Sequence, residues 1–234
     1  MLLCISGCTI FTEKNSSAYL STQLLPSGKI KGYYDVSGKI LFKNPDGKHN
    51  GELLMQISRT SEMRLRIYAP IVGSLIYELR AGSGKFLVLN YQDENYVMEE
   101  NKIEVRKTWL GMDLSLDEIR WLIIGRLPEN FQSWKLNKIP TGELQLTKNV
   151  NEIRIRYNSE GYIESMNKSV DGLLEYKAKI IQYQKEQELN FPKKIQIEDS
   201  TGNNMWVIII KELHAISGSM DKLEFDPPAY LQPL

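Results

Sequence analysis

The sequence predicts a mainly β fold of eleven or twelve antiparallel strands, with one well-defined helix between two groups of strands. Apolar and polar residues alternate with a period of two between about residues 29 and 99, and strands resume after residues 141–142 (Thr-Gly). Between these groups the period changes to that of a helix over residues 115–124. Short turn sequences separate the strands, which indicates hairpins between antiparallel neighbours.

The first group contains six strands. Met63, Leu65 and Ile67 alternate with arginine and tyrosine, which places the apolar residues on one face of their strand. Residues 44–47 (Asn-Pro-Asp-Gly) and 81–84 (Ala-Gly-Ser-Gly) are strong turn signals. The predicted strands are residues 39–43, 52–58, 63–68, 75–80, 85–90 and 94–99.

The helix has both a start signal and a stop signal. Ser115 and Glu118 form a capping-box pattern, in which each side chain satisfies a backbone N–H of the first turn. Gly125 and Pro128 end the helix. Its apolar face consists of Leu116, Ile119, Leu122 and Ile123.

The second group contains six more strands, and two weaker helices are predicted elsewhere. The weaker helices are residues 18–24 and residues 101–110, the second of which contains β-branched residues that disfavour a helix. The predicted strands are residues 143–148, 152–157, 161–168, 173–183, 193–198 and 205–213.

So many antiparallel strands with one apolar face can form a sandwich or a barrel, and the pattern alone does not separate the two. An eight-stranded barrel is filled by its own side chains or holds a small ligand, so a barrel of eleven strands has a wider interior. In a barrel, the 115–124 helix would be a plug or lid over a site for a hydrophobic ligand. In a sandwich, it would be an ordinary packed helix.

The composition argues against several classes of function. Lys plus Arg and Asp plus Glu number 29 each, so no overall field attracts nucleic acid. Cys4 and Cys8 are the only cysteines, so the rest of the chain has no disulfide and no CxxC site. His49 and His214 are far apart in the sequence and predict no metal site. No catalytic motif connects the acidic residues or the serines, so an enzyme is not expected.

Residues 5–8 (Ile-Ser-Gly-Cys) have the pattern of a bacterial lipobox, with small residues before a cleavage point and Cys8 as the lipidation site. The mature protein would then begin at Cys8 and lie on a membrane outside the cytoplasm. Residues 1–7 are shorter than a whole signal peptide, so we expect a missing upstream part or a misassigned start. The alternative is a short apolar N-terminus with two ordinary cysteines. The polar residues 12–17 predict a poorly ordered tether.

Five segments together resemble a known family, in the right order and spacing. They are residues 36–40 (Val-Ser-Gly-Lys-Ile), 64–70 (Arg-Leu-Arg-Ile-Tyr-Ala-Pro), 71–74 (Ile-Val-Gly-Ser), 109–116 (Trp-Leu-Gly-Met-Asp-Leu-Ser-Leu) and 119–128 (Ile-Arg-Trp-Leu-Ile-Ile-Gly-Arg-Leu-Pro). Over roughly residues 30–215 the chain is similar to LolB, the outer-membrane lipoprotein receptor of the Lol pathway. The lipobox agrees with this resemblance independently.

The resemblance implies an incomplete antiparallel β-barrel of about eleven strands with a helical lid, of the LolA/LolB type. It also implies a receptor that accepts lipoproteins from a periplasmic LolA-like carrier and inserts them into the outer membrane. Acyl chains would bind in the interior without a cofactor or covalent chemistry, and we expect a monomer. Cys8 would anchor the protein at the periplasmic face of the outer membrane. Thr9 fits this location, because an aspartate at that position signals inner-membrane retention in enterobacteria.

The resemblance also identifies candidate site residues. Ile71 and Val72 follow Pro70 between two strands, where the family carries a hydrophobic residue that contacts the membrane. The alternative is that both residues cap the end of the barrel as core. The candidate acyl-chain cavity consists of Met55, Leu65, Ile67, Leu75, Tyr77 and Leu79 from the strands, and of Ile119, Leu122 and Ile123 from the helix. Each of these could instead be ordinary core, and a one-residue error in register would exchange the faces of a strand.

The predicted organisation has four parts. Residues 1–8 are a truncated signal peptide, residues 9–28 a tether with a short helix, residues 29–215 the half-barrel, and residues 216–234 an extended C-terminal tail. The alternative function is that of a lipoprotein of the same fold that senses or scaffolds lipids or lipoproteins without inserting them. A continuous apolar cavity beneath the helix would favour the receptor, and a filled interior would argue against it.

Overall fold

The computed structural model describes residues 24–25, 32–45, 47–58, 62–100, 107, 111–128, 134–138, 143–186 and 189–234. Cys8, the tether and the helices predicted at 18–24 and 101–110 lie outside these ranges, apart from Lys107 and from Leu24 and Leu25, which form a short strand and not the end of the predicted helix. The elements are α1 (Leu116–Ile124), β1 (Leu24–Leu25), β2 (Tyr33–Asn44), β3 (Gly47–Ser58), β4 (Met63–Tyr68), β5 (Leu75–Gly82), β6 (Lys85–Asn90), β7 (Asn95–Glu100), β8 (Leu127–Pro128), β9 (Lys135–Lys138), β10 (Glu143–Lys148), β11 (Asn151–Tyr157), β12 (Ile163–Val170), β13 (Leu173–Glu186), β14 (Leu189–Asp199), β15 (Met205–Ile216) and β16 (Gln232–Pro233).

Fourteen of these strands form one open, curved sheet, so the predicted mainly β fold is confirmed. The strand order is β16-β7-β6-β5-β4-β3-β2-β15-β14-β13-β12-β11-β10-β9, and all neighbours are antiparallel except β16 and β7. All twelve predicted strands are present. The additional strands in this sheet are β9 and β16, and β1 and β8 form a separate parallel pair.

The additional strands lack the signals on which the sequence prediction relied. Three of the four residues of β9 are polar, so this strand has no clear alternation. Strand β16 contains Pro233, which cannot donate a ladder hydrogen bond and argues against a strand. The strands β1 and β8 have only two residues each.

The pairing of β2 with β15 joins the two halves of the sheet. Tyr33 lies opposite Ile216, and Lys43 lies opposite Met205, so both long strands pair along their whole length. Gly38 lies where β15 has a bulge, and any Cβ there would collide with the carbonyl oxygen of Ile209. A sheet of this size curls because each strand twists relative to its neighbour, which gives the sheet a concave side.

Helix α1 fills part of this concave side. The Ser115 hydroxyl accepts a hydrogen bond from the Glu118 N–H, and the Glu118 carboxylate accepts one from the Ser115 N–H, which is the predicted capping box. Gly125 ends the helix with a φ of 73°, a left-handed conformation that favours glycine. The helix packs against β14 and β8, and every residue from Glu118 to Ile124 is buried.

A buried ionic cluster fixes the first turn of α1 to the β12 half of the sheet. The Lys168 Nζ on β12 lies 2.8 Å from Asp113 Oδ2 and 3.2 Å from Glu118 Oε1, and it also donates to the Asp113 carbonyl. All three side chains are almost completely buried. Burial raises the pKa of Glu118 and the Lys168 charge opposes that shift. The amine therefore neutralises carboxylates that would otherwise be costly to bury.

The segment that follows β15 packs across the outer, convex face of β5–β7. Leu231 is buried against Leu87 and Leu89, and β16 then extends the sheet beside β7. The Arg80 guanidinium donates to the carbonyl of Glu224, at 2.7 Å, which attaches the segment to β5. Strands β5 and β6 are therefore covered on both faces.

Glu78 is a buried carboxylate on β5, next to the point where Arg80 attaches the C-terminal segment. It pairs with Arg64 at 2.5 Å and with Arg80 at 2.9 Å, and it accepts a hydrogen bond from the Tyr91 hydroxyl. Burial raises the pKa of Glu78, but the hydrogen bonds from Arg80 and Arg64 outweigh it, so the pKa lies below its usual range. For Tyr91, burial and then the Glu78 charge raise the pKa to about 12.

We expect Lys168→Met to destabilise the protein by roughly 3–5 kcal/mol, because it removes the buried cation that two carboxylates contact. Urea unfolding measures this loss. Glu118→Gln is the matched control, since glutamine can keep the hydrogen bond to the Ser115 N–H and should cost less. A loss below about 1 kcal/mol for Lys168→Met, typical of exposed pairs, would contradict the role given to the cluster.

The contribution of Glu78 to stability should disappear in acid. Because its pKa is lower in the folded chain than the ordinary value of 4.5, its stabilisation is present above that value and decreases as pH falls through the folded pKa. We expect the difference in unfolding free energy between the natural chain and Glu78→Gln to be large near neutral pH and to shrink as the pH falls below 4.5 and through the folded pKa. Urea titrations at several pH values measure this difference. A difference that stays constant with pH would rule out the charged form as the stabilising one.

Candidate functional site

A cavity of about 410 Å³ lies on the concave side, in the half of the sheet formed by β2 and β4–β6. The strand register explains its apolar wall, because Leu65 lies opposite Leu79, and Leu79 lies opposite Val88 on the next strand. One step along the same strands, Ile67 lies opposite Tyr77. The remaining apolar lining consists of Ile40, Phe42, Ile119 of α1, Trp206 and Leu234.

The cavity lies beside α1 because of where the helix is held. The ionic cluster attaches the first turn of α1 to β12, and the body of the helix packs against β14. Ile119 is the helix residue that faces the cavity. The concave surface of β4–β6 is therefore only partly covered by the helix, and the space that remains has a size typical of ligand sites.

The mouth of the cavity is polar and lies at one end of the sheet, which we call the loop rim. The register places at this rim the turns after β2, β4, β6, β10, β12 and β14. Exposed Lys43 and Asp93 line the mouth, together with Asn95 and Asn204, so the cavity reaches solvent there.

Most polar side chains at the mouth are held by hydrogen bonds within their own turns. The Asn90 side chain accepts from the backbone N–H groups of the β6–β7 turn and donates to Asp93, at 2.7 Å. The Asn204 side chain donates a hydrogen bond to the Asp199 carboxylate, at 2.7 Å. Burial raises the pKa of Asp199, but this and other hydrogen bonds outweigh it, so the pKa lies below its usual range. Asn95 differs, because its Oδ1 is buried and has no hydrogen-bond partner among the described residues. It offers an acceptor to a donor group on a ligand.

The structure brings five of the nine candidate cavity residues to this cavity. These five are Leu65, Ile67, Tyr77, Leu79 and Ile119. Met55, Leu122 and Ile123 are buried in the core and do not line the cavity, and Leu75 is half-buried and does not line it either.

Sequence reasoning missed five apolar lining residues, namely Ile40, Phe42, Val88, Trp206 and Leu234. Strand β6 is apolar from Phe86 to Leu89 without alternation, since the C-terminal segment covers its outer face. The run from Ile40 to Phe42 also lacks alternation. In neither run does the sequence show which residues face the concave side. For Trp206, the adjacency of β15 and β2 could not be foreseen from hairpins alone.

Ile71 and Val72 form an exposed apolar tip at the loop rim. The loop is closed by hydrogen bonds from the Ala69 N–H to the Ser74 carbonyl, at 2.8 Å, and from the Gly73 N–H to the Ala69 carbonyl, at 3.0 Å. The side chains of Ile71 and Val72 are 97% and 77% exposed. The strands on either side of the tip carry cavity residues, so the tip lies next to the mouth.

The described part of the chain contains neither a metal-binding cluster nor a membrane-spanning helix. No group of three or more His, Cys, Asp or Glu side chains there is arranged to hold a metal ion. Within the same residues, no helix combines the length and the apolar character needed to cross a membrane.

Comparison with solved structures shows the fold. The chain is similar to a putative outer membrane lipoprotein-sorting protein domain from Vibrio parahaemolyticus, with a TM-score of 0.58 and 7% identity over 89% of this chain and 93% of that one. It is also similar to a LolA superfamily protein from Nitrosomonas europaea, with a TM-score of 0.57 and 12% identity over 86% and 93%. A DUF1329 family protein from Desulfovibrio piger has a TM-score of 0.56 and 10% identity over 83% and 89%.

Comparison of the sequence with family models identifies the family. No sequence among the curated proteins matches the chain. The model described as "Outer membrane lipoprotein LolB" matches residues 33–212, which is most of the chain and includes the sheet from β2 to β15. The chain therefore belongs to the LolB family of outer-membrane lipoproteins.

Proposed function

We propose that this protein accepts lipoproteins from a periplasmic carrier of the LolA type and inserts them into the outer membrane, holding their acyl chains in the cavity. The observation that carries the proposal is the apolar cavity between β4–β6 and α1, which opens at the loop rim beside the exposed Ile71 and Val72. Family membership supports the choice of lipoprotein as the ligand.

The cavity suits an acyl chain in its chemistry. Its wall is made of aliphatic and aromatic side chains, and each methylene that leaves water contributes about 0.8 kcal/mol. Among the charged residues of the lining, Lys43 and Asp93 lie at the mouth, and the buried Glu78 carboxylate is paired with Arg64 and Arg80. The polar linkage of the ligand would remain at the mouth, where the Asn95 Oδ1 can accept a hydrogen bond from an amide N–H.

Delivery to the membrane requires that the mouth reach the bilayer. Lipidation of Cys8, followed by the tether over residues 9–28, would hold the half-barrel at the periplasmic face of the outer membrane. Ile71 and Val72 would then enter the bilayer surface next to the mouth. An acyl chain could pass from the cavity to the bilayer over a short distance, without crossing water.

Leu79→Trp should weaken binding of a fluorescent palmitate analogue roughly ten-fold. The indole would extend between Leu65 and Val88 and displace about two methylenes, at about 0.8 kcal/mol each. Leu54→Trp is the matched control, because Leu54 lies on β3 of the same sheet and is exposed on the opposite face. Thermal unfolding verifies that both variants fold. Equal binding by both variants would exclude this cavity as the acyl-chain site.

Ile71→Glu and Val72→Glu should each abolish delivery of a lipoprotein from a loaded LolA-type carrier to outer-membrane vesicles, while leaving palmitate binding unchanged. A charge at the tip cannot enter the apolar part of a bilayer without a large cost. Ser159→Glu, in the exposed β11–β12 turn at the opposite end of the sheet, is the control. Rescue of cells depleted of their own receptor provides a second readout.

The outcomes of these assays separate the proposal from its alternative. A natural chain that binds palmitate but takes no lipoprotein from the carrier would be a sensor or scaffold. Full delivery by both tip variants would remove Ile71 and Val72 from the mechanism.

A further inference from the structure

We propose that Val150 and Leu173 form a second membrane-contact tip, so that the protein docks on a lipid bilayer through two separate apolar points on the loop rim. This inference rests on the proposed function, because it assumes that the loop rim faces the membrane. It concerns the half of the sheet opposite the Ile71 and Val72 tip.

The register places both residues at the loop rim. Val150 lies in the turn between β10 and β11, and Leu173 begins β13 directly after the turn that follows β12. The two turns touch, since the Asp171 N–H donates to the Val150 carbonyl at 3.0 Å. Val170 pairs with both Asn151 and Leu173, which links the two turns through the end of β12. We call Val150 and Leu173 the second tip.

The exposure of the second tip is not explained by packing within the chain. Leu173 is 76% exposed and Val150 is 53% exposed. Turn positions in hairpins are normally occupied by Gly, Asn, Asp or Ser, and Asn149, Asp171 and Gly172 are of this kind. Two large apolar side chains in adjacent turns therefore form a patch that no described residue covers.

The residues beside the second tip have the character of a membrane interface. The Lys148 Nζ lies 5.9 Å from the centre of the Trp134 ring, at the ends of β10 and β9. Trp134 is half-buried and packs edge-on against Trp121 of α1, which holds its ring at the rim. Tryptophan and lysine beside exposed aliphatic residues are typical of segments that lie at the lipid headgroups. Asp171 is an exposed acidic residue in the same turns.

The spacing of the two tips favours a lipid bilayer over a protein as the surface that they contact. Along the rim, the β2–β3 and β14–β15 turns separate the second tip from Ile71 and Val72. The β14–β15 turn is polar, with Thr201 and Asn203 exposed. A stable protein interface needs a continuous apolar centre, which two separate tips do not provide. A membrane surface is extended and deformable, so two tips on one rim can enter it together. Lys148 and Lys43 would lie near anionic headgroups.

Two contacts with the membrane would restrict the orientation of the half-barrel more than one contact does. A single tip allows the half-barrel to rotate about that point, so the mouth could tilt away from the membrane. Two tips on opposite halves of the sheet prevent tilting along the line that joins them, which keeps the loop rim, and with it the mouth of the cavity, close to the headgroups. The second tip would therefore act on delivery and not on acyl-chain binding.

The test uses site-specific labels on the full chain. Cys4 and Cys8 are the only cysteines, so a Cys4→Ser, Cys8→Ser background accepts a polarity-sensitive NBD label at one new cysteine. The labelled variants are Val72→Cys, Val150→Cys and Leu173→Cys, with Thr201→Cys on the polar turn of the same rim and Ser159→Cys at the opposite end. Each is mixed with vesicles of phosphatidylethanolamine and phosphatidylglycerol. We expect blue-shifted, stronger emission at positions 72, 150 and 173, and no change at position 159.

The outcomes separate this inference from the proposed function. A change at position 72 without one at positions 150 and 173 would overturn the second tip and leave the proposed function intact. No change at any of the three, with palmitate binding retained, would overturn both membrane contacts while the cavity stands. A Val150→Asp, Leu173→Asp double variant should partition onto the vesicles about ten-fold less than its background, with unchanged palmitate binding. Equal partition would also contradict the proposal.

Discussion

The buried contact between Lys168 and the two carboxylates of Asp113 and Glu118 determines where the helix lies, and the position of the helix determines where space remains. The Glu118 side chain also caps the helix, so one carboxylate joins helix formation to the attachment of the helix on β12. With α1 packed against the β12–β14 half, the concave surface of β4–β6 keeps a cavity of about 410 Å³. An ionic contact inside the core thus leaves a cavity on the other half of the sheet.

The C-terminal segment makes the complementary contribution on the convex face. It covers β5 and β6 from outside, and Arg80 attaches it to β5 beside the Glu78 pairs. The wall of the cavity is therefore supported from behind. The polar mouth, the Ile71 and Val72 tip and the second tip all lie at the loop rim, because antiparallel pairing brings alternate turns to the same end.

The sequence allowed prediction wherever a local pattern was complete. The alternation in β4 and β5 predicted that Leu65, Ile67 and Leu79 face inward, and the capping box predicted the start of α1. Prediction from the sequence failed where tertiary contacts override the local pattern. Val88 lies in a run that is apolar on both faces, because a distant segment covers the outside. The ionic cluster was also missed, since residues 50 or more positions apart meet only through the β12 register.

Binding of an acyl chain between β4–β6 and α1 can be observed through intermolecular NMR contacts. With carbon-13-labelled palmitate and the full chain, we expect nuclear Overhauser effects from the palmitate methylenes to the methyl groups of Leu65, Leu79 and Val88, and to Ile119 of the helix. Contacts confined to exposed residues such as Leu54 on the opposite face, or none to the cavity wall, would contradict it.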